Sequence, residues 1–435
     1  MKNIFFTIIG TITLFFAGHN LVFGQAKADS NSTLQTNAIK PVSIQSFEAF
    51  KASIKPLIEK MSAKQIVGLG EGTHGTAEFY KIRFWISRIL IEEKGFNYIA
   101  FENDYSDSWL LNNELNTTAN LDALMKKHLL SIWQNQETKE LLAWVKQYNS
   151  KHHKKVTIGG LDYVYITPDV EMLKQLLTKT PAANLLDSMD AVTKAAKFQD
   201  EVWEGSNHRE YKVNMDSMGK SSYAGYVAAV KLDKAIGTTA LPQQVKDDCH
   251  MAILNIEQAF APFYDEAAKL PEASRDENMA QNAALIMKKP GTKMIIWAHN
   301  VHLAKTGIYN NEVGGTGGII LKTFPNNYFI LGTGTALGTF AATKESRDTY
   351  TNPMAAYPLE LPVNGSWESL FGAMGKPAFY VEPAAFNPQK LQKQMRFVGY
   401  TPESGPKSYD KTNMNDLFDA YLFINETHAP APLKQ

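Results

Sequence analysis

The strongest constraint in this chain is the stretch Ile66-Val67-Gly68-Leu69-Gly70-Glu71-Gly72-Thr73-His74-Gly75. Its apolar start predicts a short buried strand. The glycines at 70, 72 and 75 predict a sharp turn that leaves room for something to approach the backbone. The residues from about Ala77 to Lys94 then carry a helical period. A strand that opens through a glycine turn into a helix is the unit of an α/β sheet, and such sheets place their chemistry where strand ends meet helix N-termini. The polar side chains left in the turn are Glu71, Thr73 and His74. A carboxylate and an imidazole on one such turn point to an acid/base site.

The helix that follows adds a second constraint. Phe79, Ile82, Ile86, Ile89 and Leu90 mark its inward face by their spacing, and Arg83 falls within that stripe. An arginine on a buried face needs an anion, because an unpaired buried charge is very costly. Glu71 is the nearest candidate, and Glu102 is the other, at the end of the apolar run Asn97-Tyr98-Ile99-Ala100-Phe101. If the two strands are parallel neighbours, their ends bring Glu71 and Glu102 side by side. Glu71, His74, Arg83 and Glu102 are then expected at one strand-end edge. The bland alternative is a structural ion pair with a satisfied histidine, since shifted acid/base groups occur in both settings.

Size and charge bound the rest. A chain of 435 residues, 44% of them hydrophobic, can build one large domain or two joined lobes. Its 44 basic and 44 acidic residues cancel, which argues against a nucleic-acid binder that relies on a phosphate field. Lys2, the apolar run from Ile4 to Phe16 and the small residues up to Gly24 read as a secretory signal peptide over 1–24. The expected location is therefore secreted or periplasmic, with no stable membrane span once the signal is cleaved. An uncleaved N-terminal anchor is the alternative. No cysteine follows the apolar run, so a lipid-anchored lipoprotein is not expected. A disordered linker is expected over 25–40 and the catalytic domain over 41–430. Cys249 is the only cysteine, which excludes an internal disulfide framework, and it reads as a core residue beside His250.

Along the chain, helices are expected near 46–60, 107–115 and 138–148, with a strand over 155–160 and Asp162 just beyond it. His152 and His153 read as surface residues. From about 168 to 289 the pattern is almost wholly helical, too long for one crossover, and predicts a helical lobe inserted into an α/β core of mostly parallel strands. Trp203, Tyr211, Tyr223, Tyr226 and Tyr264 are candidates to line a substrate cleft beneath it. The core resumes at Lys293-Met294-Ile295-Ile296-Trp297-Ala298, ending in His299-Asn300-Val301-His302. A continuing strand would put His299 and Val301 on one face and His302 on the other. Residues 314–318, Gly-Gly-Thr-Gly-Gly, read as a flexible loop. Later strands are expected over 327–331, 378–381 and 421–424.

Several chemistries lack their residues. No Gly-x-Ser-x-Gly elbow and no His-Glu-x-x-His zinc motif occurs. Gly70-x-Gly72-x-x-Gly75 matches the dinucleotide fingerprint formally, but Glu71 would set a negative charge where pyrophosphate must sit. A divalent metal held by Glu71, His74, Glu102 and His299 is chemically reasonable. What remains is a hydrolase without a covalent intermediate: a carboxylate-held histidine takes a proton from water, and Arg83 or a second, protonated histidine stabilises the oxyanion.

These residues resemble the erythromycin esterase family. The resemblance rests on Gly68 to Gly75 with Glu78, Arg83 and Phe101-Glu102. It continues through Arg275-Asp276-x-x-Met279-Ala280-x-Asn282 and Trp297-Ala298-His299-Asn300-x-His302. Gly365-Ser366-Trp367-Glu368, Arg396-x-x-Gly399 and Phe418-Asp419-Ala420 complete it. It implies hydrolysis of a macrolide lactone by activated water, with no cofactor required and a small-molecule macrolide or other bulky ester as partner. It implies His74 as general base, supported by Glu71, Arg83, Glu102 and His299, with Thr73, Glu78, Asp162, Arg275 and His302 on the substrate side. Antibiotic resistance is the role such an activity implies. Metal-dependent peptidases of the Tiki type share the Glu-x-x-His turn, so an exported metal hydrolase is the alternative. A non-enzymatic binder of a bulky ligand, a haem included, is the other.

Overall fold

A computed structural model describes residues 34–263, 274–309 and 314–433. The expected signal peptide, the linker up to residue 33 and Tyr264 lie outside these residues. Among the described residues no helix is long and apolar enough to cross a membrane.

The strands are β1 (Lys40–Pro41), β2 (Ile66–Glu71), β3 (Tyr98–Asp104), β4 (Thr157–Asp162), β5 (Met294–His299), β6 (Tyr328–Ala342), β7 (Ala355–Pro358), β8 (Ala378–Val381), β9 (Gln392–Arg396), β10 (Tyr409–Asn413) and β11 (Ala420–Thr427). The helices that matter here are α1 (Phe47–Ser62), α2 (Ala77–Lys94), α3 (Tyr105–Leu115), α4 (Leu121–His128), α5 (Gln136–Lys151), α6 (Thr167–Leu177), α7 (Asp190–Gly205), α8 (Met215–Gly237), α9 (Gln243–Phe260), α10 (Arg275–Met287), α11 (Asn300–Leu303) and α12 (Thr316–Thr323). Local chemistry fixes their ends. Ser46 caps α1 by accepting from the Ala49 N–H, and Gly95 ends α2 in the left-handed conformation that glycine adopts most readily. Ser274 and Glu277 form a capping box at the start of α10, which fixes where Arg275 begins.

The main sheet runs β1-β8-β11-β6-β2-β5-β3-β4, with β7 on β6. From β11 to β4 the pairings are parallel, and β8, β1 and β7 add antiparallel partners. The fold is therefore α/β, with a mixed, mostly parallel sheet flanked by helices. Parallel sheets of this kind bury both faces, and side chains of the central strands alternate accordingly. Val67, Leu69, Ile99, Phe101, Ile295 and Trp297 pack with residues of α1, α2, α4 and α5. Ile66, Ala100, Met294 and Ile296 pack with residues of α6 to α10.

Chain order and strand order part company at the centre. From β2 the chain goes to β3 and β4, passes through α6–α10, and returns as β5 in the gap between β2 and β3. It then crosses to β6 on the far side of β2. The expectation that β2 and β3 are neighbours is thereby corrected: β5 lies between them, with His299 in register beside Glu71. A strand inserted after a long helical excursion leaves no local trace in the strands it separates. This reversal is the place where an open α/β sheet leaves a crevice at its C-terminal edge.

Two further expectations are corrected. Residues 299–302 do not continue as a strand. His299 ends β5 and Asn300 opens the single turn α11, so His299 and His302 are not sent to opposite faces. Residues 316–318 are not loop but the first turn of α12, where Thr316 bonds both the carboxylate and the carbonyl of Asp276. Helix α4 was not expected from the sequence.

Candidate active site

The glycine turn after β2 is sewn into its surroundings by main-chain bonds. His74 N–H donates to the Val398 carbonyl and Val398 N–H donates to the Gly72 carbonyl, both at 2.9 Å. Gly75 sits at φ 64°, and a side chain there would run into the backbone of Ala341. Gly70 is required for a different reason: a Cβ would collide with Asn300, whose amide donates 2.8 Å to the Thr333 carbonyl and straps the end of β5 to β6. The turn is thus held at fixed height above the sheet, and His74 with it.

Glu71, fully buried, uses both carboxylate oxygens. Oε1 meets His74 Nδ1 at 2.7 Å and Oε2 accepts from Arg83 Nη2 at 2.7 Å. Arg83 is 1% exposed, so the pair exists without solvent. Its guanidinium carbon lies 4.9, 5.4 and 4.8 Å from the ring centres of Tyr80, Trp133 and Trp297. Its Nε and Nη1 have no hydrogen-bond partner among the described residues. The π-faces are what this half of the cation meets instead. Arg83 therefore pins Glu71 from behind, and Glu71 sets the ring of His74. Burial pushes the His74 pKa down. The bond to Glu71 and the charges of Glu71, Glu102 and Asp348 outweigh that, and the pKa is raised above the ordinary 6.5. With Nδ1 taken, Nε2 is the edge of His74 left without a partner among the described residues.

His299 stands beside His74, with ring centres 4.7 Å apart. Its Nδ1 accepts from the Val301 N–H at 3.3 Å, so the proton is on Nε2, which donates to the Val398 carbonyl at 3.1 Å. Burial and the neighbouring His74 hold its pKa well below 6.5. His299 is thus a neutral ring with both nitrogens engaged by main chain. That leaves it unsuited to be the second, protonated histidine of the expected mechanism. Arg83, enclosed behind Glu71, is equally removed from an incoming carbonyl.

The second carboxylate anchors a wider network. Glu102 Oε2 accepts from the His299 N–H at 2.8 Å, and Oε1 meets His302 Nε2 at 3.2 Å and Arg275 Nη2 at 3.0 Å. Asp162 accepts from Arg275 Nε at 3.0 Å, and Asp276 holds His302 Nδ1 at 2.8 Å. Burial opposes the charge on His302, but Glu102 and Asp276 prevail and raise its pKa to about 9. Burial likewise opposes the charge on Glu102, and His302, Arg275 and His74 reverse it, holding the carboxyl well below its ordinary range. Arg275 keeps 42% of its side chain exposed and so faces the approach to the site.

Of the residues expected at the site, the structure brings Glu71, His74, Arg83, Glu102, Asp162, Arg275, His299 and His302 together. Thr73 lies in the same turn, bridged to Val398. Glu78 stands apart: its carboxylate is taken by the main chain and ring of His428. Among the aromatics, Tyr211 and Tyr223 are exposed, Tyr226 packs against the core, and Trp203 donates to the Asp348 carbonyl at 3.1 Å. Cys249 is buried. Asp348 was not anticipated, because its neighbours in sequence carry no periodic or motif signal. Among the described residues no group of three or more His, Cys, Asp and Glu is arranged to hold a metal ion. The oxygens of Glu71 and Glu102 are matched by protein cations and N–H donors.

Fold and site define an α/β protein with a histidine–carboxylate cluster at the sheet's C-terminal edge. The erythromycin esterase family model matches residues 91–427, and the chain belongs to that family. It is 24% identical to erythromycin esterase type II of Escherichia coli over 397 residues, covering 86% of this chain and 92% of the relative. A solved succinoglycan biosynthesis protein has the same fold, with a TM-score of 0.74 at 21% identity over 92% of this chain and 96% of that one. A mutant of the erythromycin esterase EreC in its open conformation superposes with a TM-score of 0.63 at 16% identity, over 90% and 96%. Membership makes this chain a hydrolase of the esterase type with a small-molecule substrate.

Proposed function

We propose that the protein hydrolyses the lactone ester of macrolides such as erythromycin, with His74 as general base acting on water and no metal ion. The observation that supports this best is the Glu71–His74 bond. It fixes Nδ1 as the held nitrogen and leaves Nε2 without a partner among the described residues, with a pKa raised above the ordinary 6.5. Nε2 takes a proton from water, and the hydroxide oxygen bonds to the ester carbonyl carbon. The bond from that carbon to the ring oxygen then breaks, and His74 returns its proton to the departing alkoxide. The cation assigned to the developing oxyanion in this reading is Arg275, and its partial exposure supports that choice. The product is the opened hydroxy acid.

The test is mass spectrometry of the protein mixed with erythromycin, with and without a chelator. A product one water heavier, formed equally with chelator, supports the proposal. No mass change moves the substrate to another ester. His74→Ala is expected to lower kcat by roughly a thousandfold without unfolding the protein, the order that general bases contribute. Full activity in that variant would remove His74 from the mechanism. The apolar run up to Phe16 supports export by a cleaved signal peptide, so that the enzyme would meet the drug before it enters the cytoplasm. A resistance role follows if expression in a susceptible host raises the inhibitory concentration and the His74→Ala protein does not.

A further inference from the structure

The site's carboxylates divide in an uneven way. Glu71 has Arg83 and His74 at 2.7 Å, Glu102 has Arg275 and His302, Asp162 has Arg275, and Asp276 has His302 at 2.8 Å. Asp348 has no ion-pair partner among the described residues. Its Oδ1 is buried without a hydrogen-bond donor among the described residues, the Thr349 N–H is the one main-chain donor to the carboxylate, and the residue as a whole is partly exposed. It is nonetheless within electrostatic reach of His74, Glu102 and Arg275.

The position of Asp348 is not accidental, because its segment is tied down on three sides. Trp203 of α7 donates to its carbonyl, and Asn207 bonds the Arg347 N–H at 2.8 Å. Ser131 takes the Thr349 carbonyl with both its N–H, at 2.8 Å, and its hydroxyl, at 2.6 Å. Tyr400 donates to the Ser346 carbonyl at 2.8 Å. A carboxylate with one unsatisfied oxygen and no ion pair among the described residues is thus held beside a site whose other named carboxylates are all ion-paired.

Resting on the esterase reading, we propose that Asp348 is a cation subsite, and that the preferred esters carry a protonated amine which supplies the charge partner this carboxylate lacks. The binding balance is simple: an ammonium group meets the ionised carboxylate, and no covalent bond changes. An amino-sugar macrolide carries such a group. Burial pushes the Asp348 carboxyl up to about 7, with His74, Arg275 and the Thr349 N–H pulling it down, Glu102 pushing it up, and Tyr400 also near. A cation stabilises the ionised form, so amine binding tightens as pH rises through about 7.

The test uses the full chain and two readouts. In the first, N,N-dimethylbenzylamine is titrated calorimetrically into the unmodified protein, Asp348→Asn and Asp348→Glu. Binding is expected to weaken roughly tenfold or more in Asp348→Asn, the order of one lost charge-assisted contact, and to survive in Asp348→Glu. Equal binding in all three, or none in any, overturns the subsite. The second readout compares two aryl esters with the same acyl chain, one ending in dimethylammonium and the other in isopropyl. The unmodified protein is expected to favour the amine ester roughly tenfold in kcat/KM, mainly through KM, and Asp348→Asn to bring the ratio close to unity. A ratio unmoved by the substitution overturns the proposal. If neither ester turns over but Asp348-dependent amine binding persists, the subsite stands and the esterase reading fails.

Discussion

The two carboxylates that organise the site are built differently. Glu71 is paired in a dry compartment: it has no exposure, its arginine is 1% exposed, and three aromatic rings surround that arginine. Glu102 is paired in a branching network whose arginine is 42% exposed and shared with Asp162. The dry side holds the ring of His74, the proposed base, through Glu71. The wetter side has several cations and anions in mutual reach, which suits a region that must meet a substrate and its changing charge. Rigidity belongs where a proton is taken, and adaptable charge where a ligand arrives.

The contrast breaks first on the dry side. Arg83→Met leaves Glu71 buried without its permanent cation. Breaking a buried pair by removing one partner costs about 3–5 kcal/mol. Denaturant unfolding is expected to show a loss of that size, with activity falling as well because Glu71 no longer holds His74 in one place. A loss under about 1 kcal/mol would mean that water reaches Glu71, as in an exposed pair, and the dry description would fail. Arg275→Met removes the corresponding cation of the wetter side. His302 still faces Glu102, and the Tyr163 N–H still donates to Asp162 at 3.0 Å. The expected loss is about 2 kcal/mol, nearer the value of a single hydrogen bond to a charged group. A larger loss than for Arg83→Met would reverse the comparison.

The same contrast explains what was legible in the sequence. The dry side lies within one strand–turn–helix unit, Ile66 to Lys94. The helical stripe through Arg83 announced a buried cation, and Glu71 was the nearest anion. The bounds of α2 follow the pattern residue for residue, because Gly95 ends it. The wetter side is assembled from β3, β4, β5, α10 and α11, so its pairing depends on strand order. The expectation that β2 and β3 adjoin failed because the strand between them returns only after α6 to α10. The turn at Asn300 was missed because a strand's apolar run does not show where a cap ends it. His299 supplies that cap with its own ring, accepting from Val301. Asp348 was invisible: its importance lies in what it does not pair with, and a sequence does not show absent partners. The later motif residues carry structure more than chemistry. Glu368 accepts the Arg396 N–H at 3.0 Å, and the Arg396 guanidinium is spent on Tyr409 and the Glu360 carbonyl.

The wetter side should also show itself in alkali. His302 has a folded pKa of about 9 against an ordinary 6.5. A group whose pKa is raised by folding contributes stability in full below its unfolded value and loses it as pH rises through the folded one. Stability is therefore expected to fall between about pH 6.5 and 9 by an increment that Asp276→Asn reduces, since Asp276 is one of the two anions that raise His302. Glu102 and Asp276 have lowered pKa values, so their increment acts in the opposite window, present above the ordinary carboxylate range and lost on acidification. An alkaline loss identical in Asp276→Asn would detach His302 from this account.

The smallest expected effect joins the two sides. Glu102 has no contact with the His74 ring among the described hydrogen bonds, yet its charge helps to raise the His74 pKa, after the bond and charge of Glu71. In the proposed mechanism His74 acts only when unprotonated, so the acid limb of the pH–rate profile is expected to follow that raised pKa. Glu102→Gln keeps an acceptor for the His299 N–H and removes the charge. The His74 pKa then falls, and the limb moves towards lower pH by a fraction of a unit. Glu71→Gln removes the charge that meets the imidazolium directly and weakens its hydrogen bond to a neutral one, and should move the limb further in the same direction while also lowering kcat. The ratio of the two shifts measures how far the wetter network reaches into the dry one. If Glu102→Gln moves the limb upward, or further than Glu71→Gln does, the base is governed from the open side and its placement in the closed compartment is wrong.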